Sequence, residues 1–345
     1  MEELAIVILA AGHGVRMQSR KQKVLHEVGG KPMVQHVFET ARAVSRQKPL
    51  LVVGSGQNGV QRLLGDGADY VVQEKRLGTG HATSMAAPLL QGKAARVAVT
   101  YADMPLLRAE TLTRLAHAQA ESGVAVAMLT VTGEPGSSFG RVLRNEQGMV
   151  TDIVEVAAAR QLPNSAGILA IRELNMGVYC FDAAWLWQNL AALPQRQARG
   201  GPEQYLTDLV SRAVQQSRQV AAMPVADPDE GLGAGTRSEL AQVEKAFRRR
   251  ANSKWLAAGV TLIDPDTTYI DQDVSIGQDT IIWPNTFLQG NTQIGEGCIL
   301  GPNAIIRDAK IGRGCRVEQA AVIGATLANG EFMPPFTVRQ EESDE

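Results

Sequence analysis

Residues 9–33, LAAGHGVRMQSRKQKVLHEVGGKPM, gather the side chains best suited to chemistry on a polyanion. An apolar run ends in Leu9, Ala10 and Ala11 and opens onto Gly12 and Gly14. Small residues of this kind let backbone N–H groups approach an anion closely. Arg16 and Lys23 add two full positive charges to that cradle. Charge spread over several phosphate oxygens needs donors and cations together, which is what a nucleoside triphosphate presents. The dinucleotide-binding glycine pattern fails at Met17, where its third glycine belongs, and a Walker loop is absent. A glycine-rich loop alone is often only a turn. Gly12, Gly14 and Arg16 followed by Lys23-Val24-Leu25-His26 is a more specific combination. Further along, Asp103 read by itself is a turn cap ahead of Pro105.

The elements that must hold this loop are legible on either side of it. The continuous apolar run 4–11 predicts a strand buried on both faces. LLVVG at 50–54, YVVQ at 70–73 and RVAVTYAD at 96–103 predict further strands, as do AVAMLTV and VYCFD later in the chain. Pro32 followed by Met33, Val34, Val37, Phe38 and Ala41 predicts a helix. Helical stretches are also expected over 79–91, 109–121 and 201–217. Strand–helix alternation argues for an α/β domain with a mostly parallel sheet, whose ligands sit at the carboxyl ends of the strands. Loops 12–23, 73–79 and 101–105 then converge on one crevice.

After a Pro/Gly/Asp-rich break at 226–236, residues 237–258 set Leu240, Val243, Phe247 and Trp255 on one helical face, with Gly259 as the stop. The Arg248–Arg250 run in this helix reads as a solvated face. Beyond it the period changes. Aliphatic residues stand at Ile270, Ile276, Ile282, Leu288, Ile294, Leu300 and Ile306, an unbroken spacing of six. After a slip of one residue, Ile311, Val317 and Ile323 are expected to resume it. Small residues, among them Val274, Thr280, Cys298 and Cys315, sit four places after the aliphatics. This is the hexapeptide pattern of a parallel β-helix.

Composition narrows the partners. The 345 residues carry 34 Lys and Arg against 36 Asp and Glu, which excludes the uniform basic field of a duplex-binding protein. The three cysteines lack metal-ligand spacing and are too few for a disulfide scaffold, so core filling is expected of them. No apolar run reaches the roughly 18 residues of a membrane span, and the amino terminus lacks a signal-peptide pattern. A cytoplasmic protein with neither nucleic acid nor membrane as partner is expected.

The motifs LAAGHGVRM, KVLH, GGKPM, QEKRLGTGHA, YADMPL, FGRV, IVE, NMGVY and YLTD occur in the order found in the bacterial N-acetylglucosamine-1-phosphate uridyltransferase family, which the chain resembles over about residues 4–325. The resemblance implies a nucleotidyltransferase domain over 1–228, a linker and connecting helix over 229–258, a short left-handed β-helix over 259–330 and an acidic tail over 331–345. It implies UTP and a sugar 1-phosphate as substrates and Mg²⁺ as cofactor. Leu9, Ala10, Ala11, Gly12 and Gly14 then hold the nucleotide, with Arg16 and Lys23 as catalytic cations on its phosphates. Gln73, Gly78 and Thr79 face the uracil edge, and Asp103 binds the metal. Gly140, Glu155, Asn175 and Thr207 resemble the family's sugar-phosphate contacts, and Tyr101 and Tyr205 are further substrate-binding residues.

The chain also departs from the family. A second metal ligand, an Asn in a Gly-Val-Asn segment, is replaced by Gly235 in Leu232-Gly233-Ala234-Gly235. Val156–Ala159 replace a Lys-Asp pair, Tyr101-Ala102-Asp103 and Asn175-Met176-Gly177 differ at their middle residue, and Gln22 replaces a proline. These changes cluster on the sugar side, and the nucleotide loop is better kept. A different sugar or base, or a nucleotide-binding scaffold without turnover, are the alternatives. Bifunctional members carry an acetyltransferase site further on, and those acyltransferases use a His as general base. Residues 259–345 contain no His, so acyl transfer is not expected. The family's β-helices form trimers; with about three and a half coils expected here, trimer and monomer both stand open.

Overall fold

The run Leu4–Ala10 forms β1, and its alternate residues feed two cores. Ala5, Val7 and Leu9 enter one, while Leu4, Ile6, Ile8 and Ala10 enter the other. A central strand covered on both faces must be apolar at every position, and this one is. The computed structural model describes residues 3–134, 139–198 and 201–341. They divide into two compact units, Met1–His26 with Met33–Glu239, and Glu27–Pro32 with Leu240–Glu345.

In the first unit, β1 pairs in parallel with β2 (Leu50–Gly54) on one side and β4 (Arg96–Tyr101) on the other. Beyond β2 lies β3 (Asp69–Gln73), also parallel. Beyond β4 the sheet turns mixed. β8 (Glu173–Asp182) runs antiparallel to both β4 and β5 (Val126–Thr132). The hairpin β6–β7 (Arg141–Arg144, Val150–Val154) joins β8, and β9 (Val220–Pro224) closes the far edge, giving nine strands. The helices α1 (Met33–Val44), α2 (Gly78–Ser84), α3 (Ala109–Ser122), α4 (Ala183–Leu190) and α5 (Asp208–Gln215) complete the α/β arrangement.

The helix expected over 201–217 is a correction. Gly201–Glu203 pair as a strand with Arg196–Ala198, and the helix begins only at Asp208. Gly201 and Pro202 are poor helix formers, and Gln204 is bound instead to the start of α2. Its N–H donates to Leu77 O at 2.7 Å, and its carbonyl accepts from Gly80 N at 2.8 Å.

Helix α6 (Arg237–Ala257) ends as expected at Gly259. The Gly259 N–H donates to Leu256 O and the Val260 N–H to Trp255 O, the paired bonds of a Schellman stop. Asn252, buried in α6, donates to Pro265 O at 2.7 Å and Thr268 O at 3.0 Å, which fixes the helix to the first coil.

Three parallel sheets of five, five and four short strands then wind into a β-helix of four complete turns and part of a fifth, more than the three and a half expected. On one face Leu262, Ile282, Leu300, Val317 and Met333 stack in register. The next carries Ile270, Leu288, Ile306 and Val322, and the third Ile276, Ile294, Ile311 and Leu327. Each such side chain contributes about 1.5–3 kcal/mol on burial. The corners are filled by Cys298, Cys315 and threonines whose hydroxyls are bonded, as in Thr286 Oγ1 to Trp283 O at 2.7 Å.

Two expectations are corrected here. Val322, not Ile323, points inward, because a second residue is lost from the coil and a one-residue shift turns every following side chain over. The acidic tail placed at 331–345 starts late. Phe332–Met333 and Val338–Gln340 still pair with the preceding coil, Met333 is buried, and residues 342–345 lie outside the described residues.

Candidate active site

The glycine loop after β1 is shaped around Lys23. Gly14 has φ +65°, a left-handed conformation costly for any other residue. A Cβ there would also lie 2.5 Å from Lys23 Cβ. Lys23 opens a short 3₁₀ turn, Lys23–Leu25. Its ammonium contacts the Asp103 carboxylate, and the two side chains are 17% and 20% exposed. Asp103 stands two residues beyond β4, whose end is tied to β1 by the Ala102 N–H donating to Leu9 O at 3.0 Å. The expected cation and the expected metal-binding carboxylate therefore meet at the carboxyl ends of adjacent parallel strands.

A cavity of about 280 Å³ adjoins this pair. It is lined by Leu9, Ala10, Ala11, Gly12 and Lys23 on one side, by Gln73, Gly78 and Thr79 on another, and by Tyr101, Asp103 and Tyr205. Gln73 ends β3 with its side chain buried; its Nε2 donates to Gly78 O at 3.2 Å and lies 2.9 Å from His81 Nδ1. Burial lowers the His81 pKa, so the neutral ring is favoured and can accept from that amide. Thr79 Oγ1 accepts from the Leu206 N–H at 2.9 Å, which draws the chain around Tyr205 to the same wall.

A second cavity of about 1060 Å³ is lined by Arg16, Glu155, Tyr205 and Thr207, with Val156–Ala158 on its wall. Gly14, Gly140 and Asn175 line neither cavity and stand behind the residues that do. A Cβ on Gly140 would meet Glu155 Oε1 at 3.2 Å. The Asn175 N–H donates to Gly140 O at 2.9 Å. Asn175 lies where the register of β8 shifts, and its Oδ1 accepts from Gly177 N and Tyr179 Oη, both at 3.0 Å. Bulges of this kind re-aim side chains beside sites. Glu155 has its pKa raised, first by burial and then by the Asp208 carboxylate, with Arg141 opposing. Burial, Glu155 and Asp103 push the Tyr101 phenol up as well, so it stays protonated at physiological pH.

Sequence reasoning missed Arg76 and Glu239. Arg76 Nε donates to Ala11 O at 2.7 Å and its Nη1 contacts His13, so the loop after β3 clasps the glycine loop. The only signal was a basic residue inside QEKRLGTGHA. Glu239 accepts from the Gly235 N–H at 2.7 Å, and its position three residues after Thr236 was a legible helix-start pattern.

A mixed sheet with a cation-lined glycine loop and a carboxylate at its switch point, followed by a hexapeptide β-helix, defines a nucleotidyltransferase of the kind joined to a left-handed parallel β-helix. Residues 6–213 match the MobA-like NTP transferase domain family, and residues 273–308 match the bacterial transferase hexapeptide (six repeats) family. The chain is 38% identical to the bifunctional protein GlmU of Brevibacillus brevis over 97% of its own length and 71% of that protein. It is 40% identical to that of Caldanaerobacter subterraneus over 99% and 73%, and 41% identical to that of an Exiguobacterium species over 99% and 74%. The chain belongs to the GlmU family, and it is a sugar-phosphate nucleotidyltransferase. Among the described residues no helix is long and apolar enough to cross a membrane.

Proposed function

We propose that the protein joins UTP and N-acetylglucosamine 1-phosphate to give UDP-N-acetylglucosamine and pyrophosphate. The observation that carries this reading is the meeting of Lys23, Asp103 and the glycine loop in one cavity with Gln73, Gly78 and Thr79. Backbone N–H groups of the loop and the Lys23 ammonium bind the triphosphate, and Arg16 adds its charge from the side of the larger cavity. Gly78 and Gln73 present backbone and amide groups to the base, with His81 holding the Gln73 amide in place. The sugar-phosphate oxygen attacks the α-phosphorus in line; the new P–O bond forms as the bond to the β-phosphate oxygen breaks and pyrophosphate leaves. The protein's part is positioning and charge neutralisation, without a covalent intermediate.

The residues fit a hard divalent cation such as Mg²⁺. Asp103 offers carboxylate oxygens beside the phosphate loop, and neither His nor Cys lines that cavity. No cluster of three His, Cys, Asp or Glu exists among the described residues, so phosphate oxygens and water are left to complete the sphere, as is usual for Mg²⁺. When bound, the ion neutralises charge on the phosphate oxygens. On the sugar side, Glu155 lines the larger cavity and accepts hydrogen bonds from hydroxyls, while Asn175 braces that wall from behind through Gly140 and Tyr179.

The apolar wall Val156–Ala158 and the size of the larger cavity favour, as a second reading, a different sugar 1-phosphate. A pyrophosphate-release screen of four nucleoside triphosphates against a panel of sugar 1-phosphates tests both. Turnover with UTP and N-acetylglucosamine 1-phosphate is expected; turnover with another sugar alone establishes the second reading, and none with any pair overturns both. Sedimentation velocity distinguishes the trimer implied by the β-helix from a monomer.

A further inference from the structure

Gly235 lacks a side chain, yet the space above it is filled. A Cβ built on Gly235 would lie 2.5 Å from Arg16 Nη2, 3.2 Å from Arg16 Cζ and 3.1 Å from Glu239 Oε2. Any residue other than glycine would displace the guanidinium from this place. The Glu239 carboxylate beside the seat and the backbone next to Arg16 are each held by hydrogen bonds. The Gly235 N–H donates to Glu239 Oε2 at 2.7 Å, and the Glu239 N–H donates to Thr236 Oγ1 at 3.2 Å. On the Arg16 side, the carbonyl of Met17 accepts from Arg237 Nε at 3.1 Å. The same backbone segment borders the catalytic carboxylate, since the Ala234 N–H donates to Asp103 O at 3.1 Å.

We infer that Gly235 is a seat for Arg16: the missing side chain admits the guanidinium beside the Asp103 strand end, where it serves as a cation for triphosphate oxygens. This rests on the nucleotide reading above. A longer side chain at 235 and the guanidinium in its present place compete for the same space, so one of them has to shift. Glycine at 235 offers no metal ligand and leaves room for a cation that needs no ion to be loaded. Triphosphate binding is therefore less dependent on a divalent ion than a site with two ligating side chains requires.

The test is calorimetry of UTP on the full chain, in chelator and in millimolar Mg²⁺, for the parent protein, Gly235→Ala, Arg16→Ala and the double variant. Alanine cannot ligate a metal, so Gly235→Ala reports the loss of the space and not a change of metal ligand. Gly235 does not have a positive φ, and Arg16 is exposed, so neither change strains the backbone or the core. Each single variant is expected to weaken UTP binding in chelator by about tenfold, the worth of one charge-assisted hydrogen bond. The double variant is expected to be no weaker than Arg16→Ala, because both changes remove the same contact. Unchanged affinity in Gly235→Ala, or additive losses in the double variant, overturns the seat. If that happens while the parent still binds UTP and releases pyrophosphate, the nucleotide reading stands; absence of UTP heat under both conditions overturns both.

Discussion

The Lys23–Asp103 contact places a permanent cation against the carboxylate that a divalent ion needs. In the free protein each neutralises the other, and on binding the ammonium is shared with phosphate oxygens. Asp103→Ala is therefore expected to lower metal-dependent pyrophosphate release by about 100-fold or more, the scale of removing one organised charge from a reacting centre. Unchanged turnover would remove Asp103 from the site. Glu155 makes a second residue-level prediction. Its folded-state pKa lies above its unfolded value because of burial and Asp208. The stability that this shift contributes is complete below the ordinary Glu range and is lost as pH rises through the folded value, so the ionised group is a cost at neutral pH. Glu155→Gln is expected to raise the melting temperature by a few degrees at pH 7.5. That gain should shrink as pH falls into the carboxylate range, while KM for the sugar phosphate rises. A melting-temperature difference that does not vary with pH would contradict this account.

At the scale of elements, the turn Gly29–Gly30 joins the two-residue strands Glu27–Val28 and Lys31–Pro32 with both glycines at positive φ. A Cβ on Gly29 would fall 2.0 Å from Phe247 Cε1, and the Gly29 N–H donates to Glu244 Oε2 at 2.9 Å. Gly29→Ala thus forces both backbone strain and overpacking against α6. A loss of about 2–4 kcal/mol is expected from the two together, readable as a lower urea midpoint. In the sequence this hairpin is only part of GGKPM, and nothing in its local pattern joins it to a helix more than 200 residues later. The strands of the first unit were legible because an apolar run buried on both faces has few other uses. The segment 201–217 was not, because only its later part is helical, while its first residues pair with Arg196–Ala198 and Gln204 bonds to distant Leu77 and Gly80.

Across the whole molecule, the two compact units store their stability differently. The first rests on two cores on either face of one sheet, whereas the second rests on three aliphatic stacks in which each coil touches its neighbours. Leu300 is fully buried in the middle of its stack. Leu300→Ala is expected to destabilise the β-helix by about 2–5 kcal/mol, seen as an earlier unfolding transition in urea, while UTP affinity is unchanged. Loss of UTP binding in the folded variant would show that the units are coupled.

The order of strands, the six-residue period and the cations of the glycine loop were determined by local sequence, since burial and periodicity act within a few residues of one another. Tertiary structure alone decided the rest. It brought Lys23 onto Asp103 and set Arg16 above Gly235. Each of these depends on which distant atoms already occupy the space, and excluded volume between remote segments leaves no trace in the spacing of residues along the chain.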